Sequence, residues 1–265
     1  MEDIVDINVI RLITAYVFVV ILFLIVKYKK VGHEKQILLA TIRMTIQLVL
    51  VGYILTFIFE HPSPFLTLLI LIIMETFAIF NIYSRVQTEL SNSLKRVVAF
   101  SMVTGTVISI LFFLFIVVHL KPWFRPQYFI PISGMLIGNS MTGISLGVEG
   151  LVNGFKDNKK FIENALMLGA CPSHASNKVS NRAFYNAILP TINAMIGMGI
   201  VFLPGMMTGQ ILAGASPLIA IKYQIAIMMG ILGSVTLTVF LMIKFGIKCF
   251  FNDRAQLQLE EFESK

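Results

Sequence analysis

A single carboxylate, Glu75, stands near the middle of the apolar run FLTLLILIIMETFAIFNIY. An acidic side chain at that depth is costly to leave facing lipid and must turn toward protein or water. Two chemistries fit it: a hard oxygen ligand that meets a cation such as Mg or Fe(III) in transit, or a protonated carboxyl hydrogen-bonded to a neighbouring helix. Asn81, six residues on, falls on a different helical face and is a poor partner. Asn139 and Ser140 pose a similar question in PISGMLIGNSM, where they could line a polar path or bond across to another helix.

Fourteen methionines, with the pairs Met206/Met207 and Met228/Met229, raise a soft-metal reading, since thioethers favour Cu(I). Methionine is also adaptable apolar filler, and that reading is preferred. Cys171 and His174, at i, i+3 spacing, could chelate, but two ligands do not close a site. No metal site is therefore assigned, with Glu75 the one residue that could serve as a metal ligand. No G-x-x-x-x-G-K-[ST] occurs, so the chain has no phosphate-binding loop of that kind for ATP. H-E-x-x-H, paired carboxylates within one apolar run and a serine with a plausible base are also missing, which disfavours an intramembrane enzyme.

The elements that must position these residues follow from composition. With 57% apolar residues and 13% charged ones in 265 residues, and a mean hydropathy of +0.83, too little polar surface exists to cover a soluble globule. Apolar runs long enough to cross about 30 Å of hydrocarbon fall at 8–26, 37–59, 65–83, 97–120, 128–148, 187–208 and 223–245. Each is expected as a helix, because backbone amides in lipid need partners within their own segment. The fifth and sixth, glycine-rich and interrupted by prolines, are the weakest as simple spans. The reading is an all-α polytopic protein of about seven transmembrane helices. It has one membrane domain over 1–252, a cytoplasmic loop at about 150–186 and a tail at 253–265.

Cations set the orientation. Lys27, Lys29, Lys30 and Lys35, then Arg85, Lys95 and Arg96, fall on one side. Lys156, Lys159, Lys160, Lys178 and Arg182, and finally Lys244, Lys248, Arg254 and Lys265, fall there too. Only Lys121, Arg125 and Lys222 oppose them, with Arg11 and Arg43 inside runs. Arg43 and Gln47 lie one turn apart near the cytoplasmic end of their run, where snorkelling accounts for the arginine. The N-terminus is expected outside and the C-terminus in the cytoplasm of a cell whose inner (plasma) membrane holds the protein. The net charge of +7 then reflects topology, and no nucleic-acid partner is implied. The N-terminal MEDIVDINVIRL lacks a basic start and a small-residue cleavage site, so the first run is expected to be retained.

In the long loop, Phe161, Ala165 and Leu168 share a helical face, Gly169 gives a break, and Ser173 is a candidate N-cap for a second short helix after Pro172. Glu163, Asn164, Ala165 and Gly169, followed by Ile188, Leu189 and Pro190, are similar to the loop by which permeases of ATP-binding cassette (ABC) transporters dock on their ATPases, with Asn164 where that motif has alanine. In the stretch LPGMMTGQILAGASPLIAIKYQ, Pro204 and Gly205 predict a kink or end near Leu203. Gly209, Gly214 and Pro217 predict either a re-entrant connection that brings Thr208 and Gln210 to a pathway or an ordinary external loop. Gly134, Gly138, Gly143 and Gly147 form small-xxx-small pairs suited to close helix packing.

PISGMLIGNSM (Pro131 to Met141), LMLGACPSHA (Leu166 to Ala175) and the Leu203 to Gln224 stretch together resemble the FetB-type permease family, over about residues 37–251. Its bacterial members are described as iron exporters and its plant relatives are linked to aluminium tolerance. The resemblance implies a permease subunit without ATPase activity of its own, dimeric, exporting a metal ion or small solute. A separate subunit would bind ATP and magnesium and dock on Phe161, Glu163, Ala165, Leu168, Gly169, Ala170, His174 and Ala175. Glu75, Asn139, Ser140, Met206, Met207 and Gln210 are the expected path residues. The alternative is an ion-coupled secondary transporter that uses Glu75, for which an internal repeat would be expected and none is evident.

Overall fold

A computed structural model describes residues 7–30, 32, 34–86 and 90–259. The chain divides into two compact units, one formed by residues 1–62 with 212–214 and the other by 63–211 with 215–265. Among the described residues there is no strand, only isolated bridges between Met198 and Phe202 and between Phe251 and Leu257. Six helical stretches are long and apolar enough to cross a membrane: Val9–Lys29, Glu34–Glu60, Pro64–Arg85, Asn92–Val117, Pro126–Asp157 and Pro217–Phe250.

The smaller unit holds α1 (Val9–Ala15), α2 (Val17–Lys29) and α3 (Glu34–Glu60). Among the described residues of these helices only Ile58 is buried and most apolar side chains are exposed, as suits helices for which lipid takes the place of water. Hydroxyls that lipid cannot satisfy bond inside the unit: Thr41, Thr45 and Thr56 donate to the carbonyls four residues back, and the Tyr16 hydroxyl lies 2.6 Å from that of Thr45.

The larger unit is built around one helix. It comprises α4 (Pro64–Arg85), α5 (Asn92–Phe112) with a π-helical turn at Phe113–Val117, α6 (Pro126–Asp157), α7 (Lys159–Met167) and α8 (Pro172–Ala175). After these come α9 (Asn177–Gly197), α10 (Gly205–Leu212) and α11 (Pro217–Gly246), which ends in a 3₁₀ turn at Ile247–Phe250. Prolines start α4, α6, α8 and α11, where the missing N–H is needed least. α6 packs against α4, α5, α9 and α11. Its Ile132, Leu136, Ile144, Val148, Leu151 and Phe155 form the middle of the core, with Phe155 stacked on Phe250 at 4.2 Å.

Glycines set how near the neighbours come. A Cβ on Gly143 would lie 2.8 Å from a Val235 methyl, and one on Gly147 2.6 Å from the Met242 methyl, so this edge of α6 meets α11. Gly150 and Gly154 do the same for α9, at 3.2 Å from the Ala183 Cα and 2.6 Å from a Val179 methyl. Close van der Waals contact is the main source of helix association where both solvent and side chains are apolar. Of the expected pairs, Gly143/Gly147 packs in this way, while Gly138 faces open space.

Two elements differ most from the sequence expectation. α6, expected to end near 148, continues to Asp157, and its 32 residues span about 48 Å. It therefore projects beyond the hydrocarbon, and polar residues in its last turns are no reason for it to stop. The sixth run, expected at 187–208, is not one helix. α9 begins ten residues earlier, with Asn177, Lys178, Asn181 and Arg182 in its first turns, and ends at Gly197. The break expected near Leu203 thus comes sooner: Gly199 adopts φ +85° and its N–H donates to the Phe202 carbonyl at 2.9 Å. Pro204 precedes a new helix, its carbonyl accepting from the Thr208 N–H at 3.0 Å.

Replacing Gly105 by alanine is expected to lower stability by about 1–3 kcal/mol, because its Cβ would meet the Thr238 Cα at 2.9 Å, a backbone atom that cannot swing away. Gly138→Ala, with nothing within 4 Å, should change it by no more than about 0.5 kcal/mol. Thermal unfolding of both variants in the same detergent checks the pair.

Candidate translocation path

Met135, Asn139, Thr142, Leu146, Glu149, Asn153 and Asp157 recur every three or four residues and so share one face of α6. None of them is fully buried. Three cavities follow this face. The first, about 270 Å³, lies among α6, α9, α10 and α11 and is lined by Asn139 and Thr142 from α6. The second, about 280 Å³, takes in Arg85, Thr142, Ser145 and Glu149. The third, about 470 Å³, opens between the end of α6 and the start of α9. Neighbouring cavities share residues, Thr142 between the first two and Leu146 with Glu149 between the last two, so they succeed one another along the helix.

The third cavity is charged. Glu149 and Asp157 from α6 and Lys178 and Arg182 from α9 line it, and among the described residues no ion pair joins them. Charges held around a space of this size without direct pairing suit a hydrated entrance. Sequence reading passed over this group because each residue looked like an ordinary solvated charge; the signal available was the three-to-four spacing of polar residues from Asn139 to Asp157.

The expected path residues separate. Asn139 and Met206 line the first cavity, and the Asn139 amide donates to the Met135 carbonyl at 2.8 Å. Ser140 is buried and lies 2.9 Å from the Ser234 hydroxyl on α11, so it bonds between helices. Met207 is buried outside the cavities, and Gln210, half-buried, keeps an unpartnered Oε1. Glu75 is 6% exposed, lines none of the three cavities, and accepts a hydrogen bond at Oε1 from the Thr106 hydroxyl on α5. Its Oε2 has no partner. Of the two chemistries open to it, the interhelical bond is the one visible in the geometry. Among the described residues no three His, Cys, Asp or Glu side chains gather closely enough to hold a metal ion.

The expected docking residues lie on α7, on α8 and, for Leu168, Gly169 and Ala170, on the turn between them. Ile162 is fully buried and anchors α7, while Phe161 is exposed and Leu168 is 89% exposed. Met167 joins them, an exposed apolar residue the sequence reading did not select. Glu163 lies 3.9 Å from Lys159 one turn back. Ala165 and Ala170 are half-buried against the core, and Ala175 is buried. Gly169 adopts φ +90° and ends α7 by a Schellman arrangement, its N–H donating to the Leu166 carbonyl and that of Ala170 to Ala165, each at 3.0 Å. Ser173 is not the cap: α8 starts at Pro172 and Cys171 takes that position. The Cys171 Sγ lies 3.2 Å from the Ser173 hydroxyl and 3.4 Å from Nδ1 of His174, which is exposed. The Ser173 hydroxyl bond, and then the His174 backbone N–H, hold this exposed thiol below its ordinary pKa.

Thr106→Val should leave the Glu75 carboxyl without its partner in an apolar surrounding and cost about 1–3 kcal/mol; an unfolding midpoint equal to wild type would contradict this. Because thiolate is the reactive form and the Cys171 pKa is lowered, its maleimide labelling should half-saturate at a lower pH than for an unperturbed thiol. Ser173→Ala should move that midpoint upward, read from labelling rates across pH.

The sequence profile described as uncharacterised protein family UPF0014 matches residues 9–251. A UPF0014 membrane protein of Synechocystis is 38% identical, over 84% of this chain and 85% of that protein. The probable iron export permease protein FetB of Escherichia coli is 32% identical over 95% of each chain, and the protein ALUMINUM SENSITIVE 3 of Arabidopsis thaliana is 33% identical over 94% of this chain and 90% of its own. No solved structure matches. With its apolar helices and this match over nearly the whole length, the chain belongs to the UPF0014 family of multi-pass membrane proteins.

Proposed function

We propose that this chain is the membrane-spanning subunit of an ABC transporter, a passive conduit that exports a metal cation or small solute when a separate ATP-hydrolysing subunit moves it. The observation that carries the reading is the polar, cavity-lined face of α6, which the single chain leaves open along most of a membrane-crossing helix. Amides, hydroxyls and a carboxylate at such depth are unfavourable against lipid, so this face meets water or protein. A second copy of the chain meeting it would enclose the path between two α6 helices and present two loops to two ATPase subunits.

The loop has the form that docking needs. α7 is pinned by Ile162 and closed by the Gly169 turn, while Phe161, Met167 and Leu168 stand clear of the protein. Exposed apolar side chains on a rigid short helix suit insertion into a cleft of a partner. The name of the E. coli relative, a probable iron export permease, favours an iron-like cation as cargo. The position of Glu75, away from the cavities, weighs against an ion-coupled carrier working alone through that residue. In this reading the N-terminus is outside, and α7 and α8 face the cytoplasm at the inner (plasma) membrane.

Leu168→Glu with Met167→Glu changes only exposed side chains, so insertion should be intact while co-purification with the ATPase and stimulation of ATP hydrolysis are lost. Full stimulation by the double variant would refute docking at this loop. Membrane-impermeant maleimide should label Cys171 only in opened cells; labelling of intact cells would reverse the orientation.

A further inference from the structure

The first cavity gathers four methionines, Met206 alone among them expected from the sequence to line the path. Met135 of α6, Met198 after α9, Met206 of α10 and Met228 of α11 line one space of about 270 Å³, though they lie up to 93 residues apart in the chain. Met228 belongs to the hydrophobic core and the other three pack against it, yet all four border an open volume large enough for an ion with several waters.

A second observation at the same place points to a ligand. Gln224 lines the cavity and is 7% exposed, yet its Oε1 has no hydrogen-bond partner, while its Nε2 lies 3.7 Å from the Met198 sulfur, at the long edge of a weak bond. A buried amide oxygen without a donor is uncommon and calls for an explanation such as an ion. Its nitrogen is turned to one thioether, and its buried oxygen is left without a donor. Asn139 brings a second amide.

We propose that this cavity is a cation site on the export path and that it takes a soft or borderline ion of low charge, of the Cu(I) or Fe(II) class. Thioether sulfur binds soft ions and suits hard ones poorly. Every potential donor in the cavity is neutral, since no carboxylate, thiolate or imidazole lines it. A trivalent hard ion such as Al(III) or Fe(III) would find no opposing charge there, and burying uncompensated charge becomes steeply unfavourable as charge rises. Neutral donors also bind a monovalent or divalent ion loosely enough to release it, as transit requires. The inference rests on the permease reading for its role in export, while binding itself needs only this chain.

The full chain in nanodiscs, with Cys171→Ser and Cys249→Ser to remove competing thiols, is titrated with Ag(I) as a stable probe for Cu(I) and anaerobically with Fe(II). One saturable Ag(I) site is expected, weakened roughly tenfold or more by Met206→Leu with Met228→Leu, a swap that conserves volume. Al(III) should not displace Ag(I). Equal Ag(I) affinity in the parent and the leucine variant, or displacement by Al(III), overturns the proposal. Met135→Leu, at the half-exposed edge, reads the same site if the double variant fails to fold. No ATPase is present, so failure of the parent chain to bind Ag(I) refutes this site alone, whereas failure to co-purify with an ATPase refutes the permease reading alone.

Discussion

The close approach of three helices along the glycine rows of α6 is the constraint from which the larger unit follows. Gly143 and Gly147 admit α11, and Gly150 and Gly154 admit α9, to distances at which an added Cβ would press on the neighbour. With two sides of α6 taken up in this way and α4 and α5 covering others, one face is left over. That remaining face carries Asn139, Thr142, Glu149, Asn153 and Asp157. Small residues and polar residues thus divide the circumference of one helix between packing and path.

Polar groups inside the unit fall into two kinds. Ser140 with Ser234, Thr106 with Oε1 of Glu75 and the Thr238 hydroxyl with the Ser234 carbonyl bond between or within helices and hold the bundle together. Gln224 differs in its place: like Oε2 of Glu75 its oxygen has no partner, but Gln224 lines a cavity. Packing alone accounts for the first kind, and the second is where a transported ion has something to gain. The distinction depends on partners, which no residue type reveals by itself.

The break after α9 couples these parts. Gly197 and Gly199 end the helix early, so Met198 turns toward Gln224, and Pro204 starts α10 with Met206 at the cavity wall. An uninterrupted helix over 187–208 would carry these two methionines about 12 Å apart along its axis, at 1.5 Å per residue, instead of bringing both to one cavity. The glycines and prolines that look like plain turn signals therefore serve the geometry of the wall.

Composition and hydropathy determined that the chain is helical and membrane-embedded, because lipid allows backbone few other solutions. The same reasoning located the glycine-ended loop helix, since Gly169 is needed at φ +90°. It marked the Leu203 to Gln224 stretch as interrupted, though it placed the break late, at the proline rather than at Gly197 and Gly199. Tertiary structure alone decided which polar residues bond to other helices and which line space: Glu75 and Ser140 went to the first group, Asn139 and Met206 to the second. It alone brought Met135, Met198, Met206 and Met228 around Gln224. Periodicity reports the face of one helix at a time, whereas a cavity is set by the distances and rotations between helices, which depend on contacts far apart in the chain.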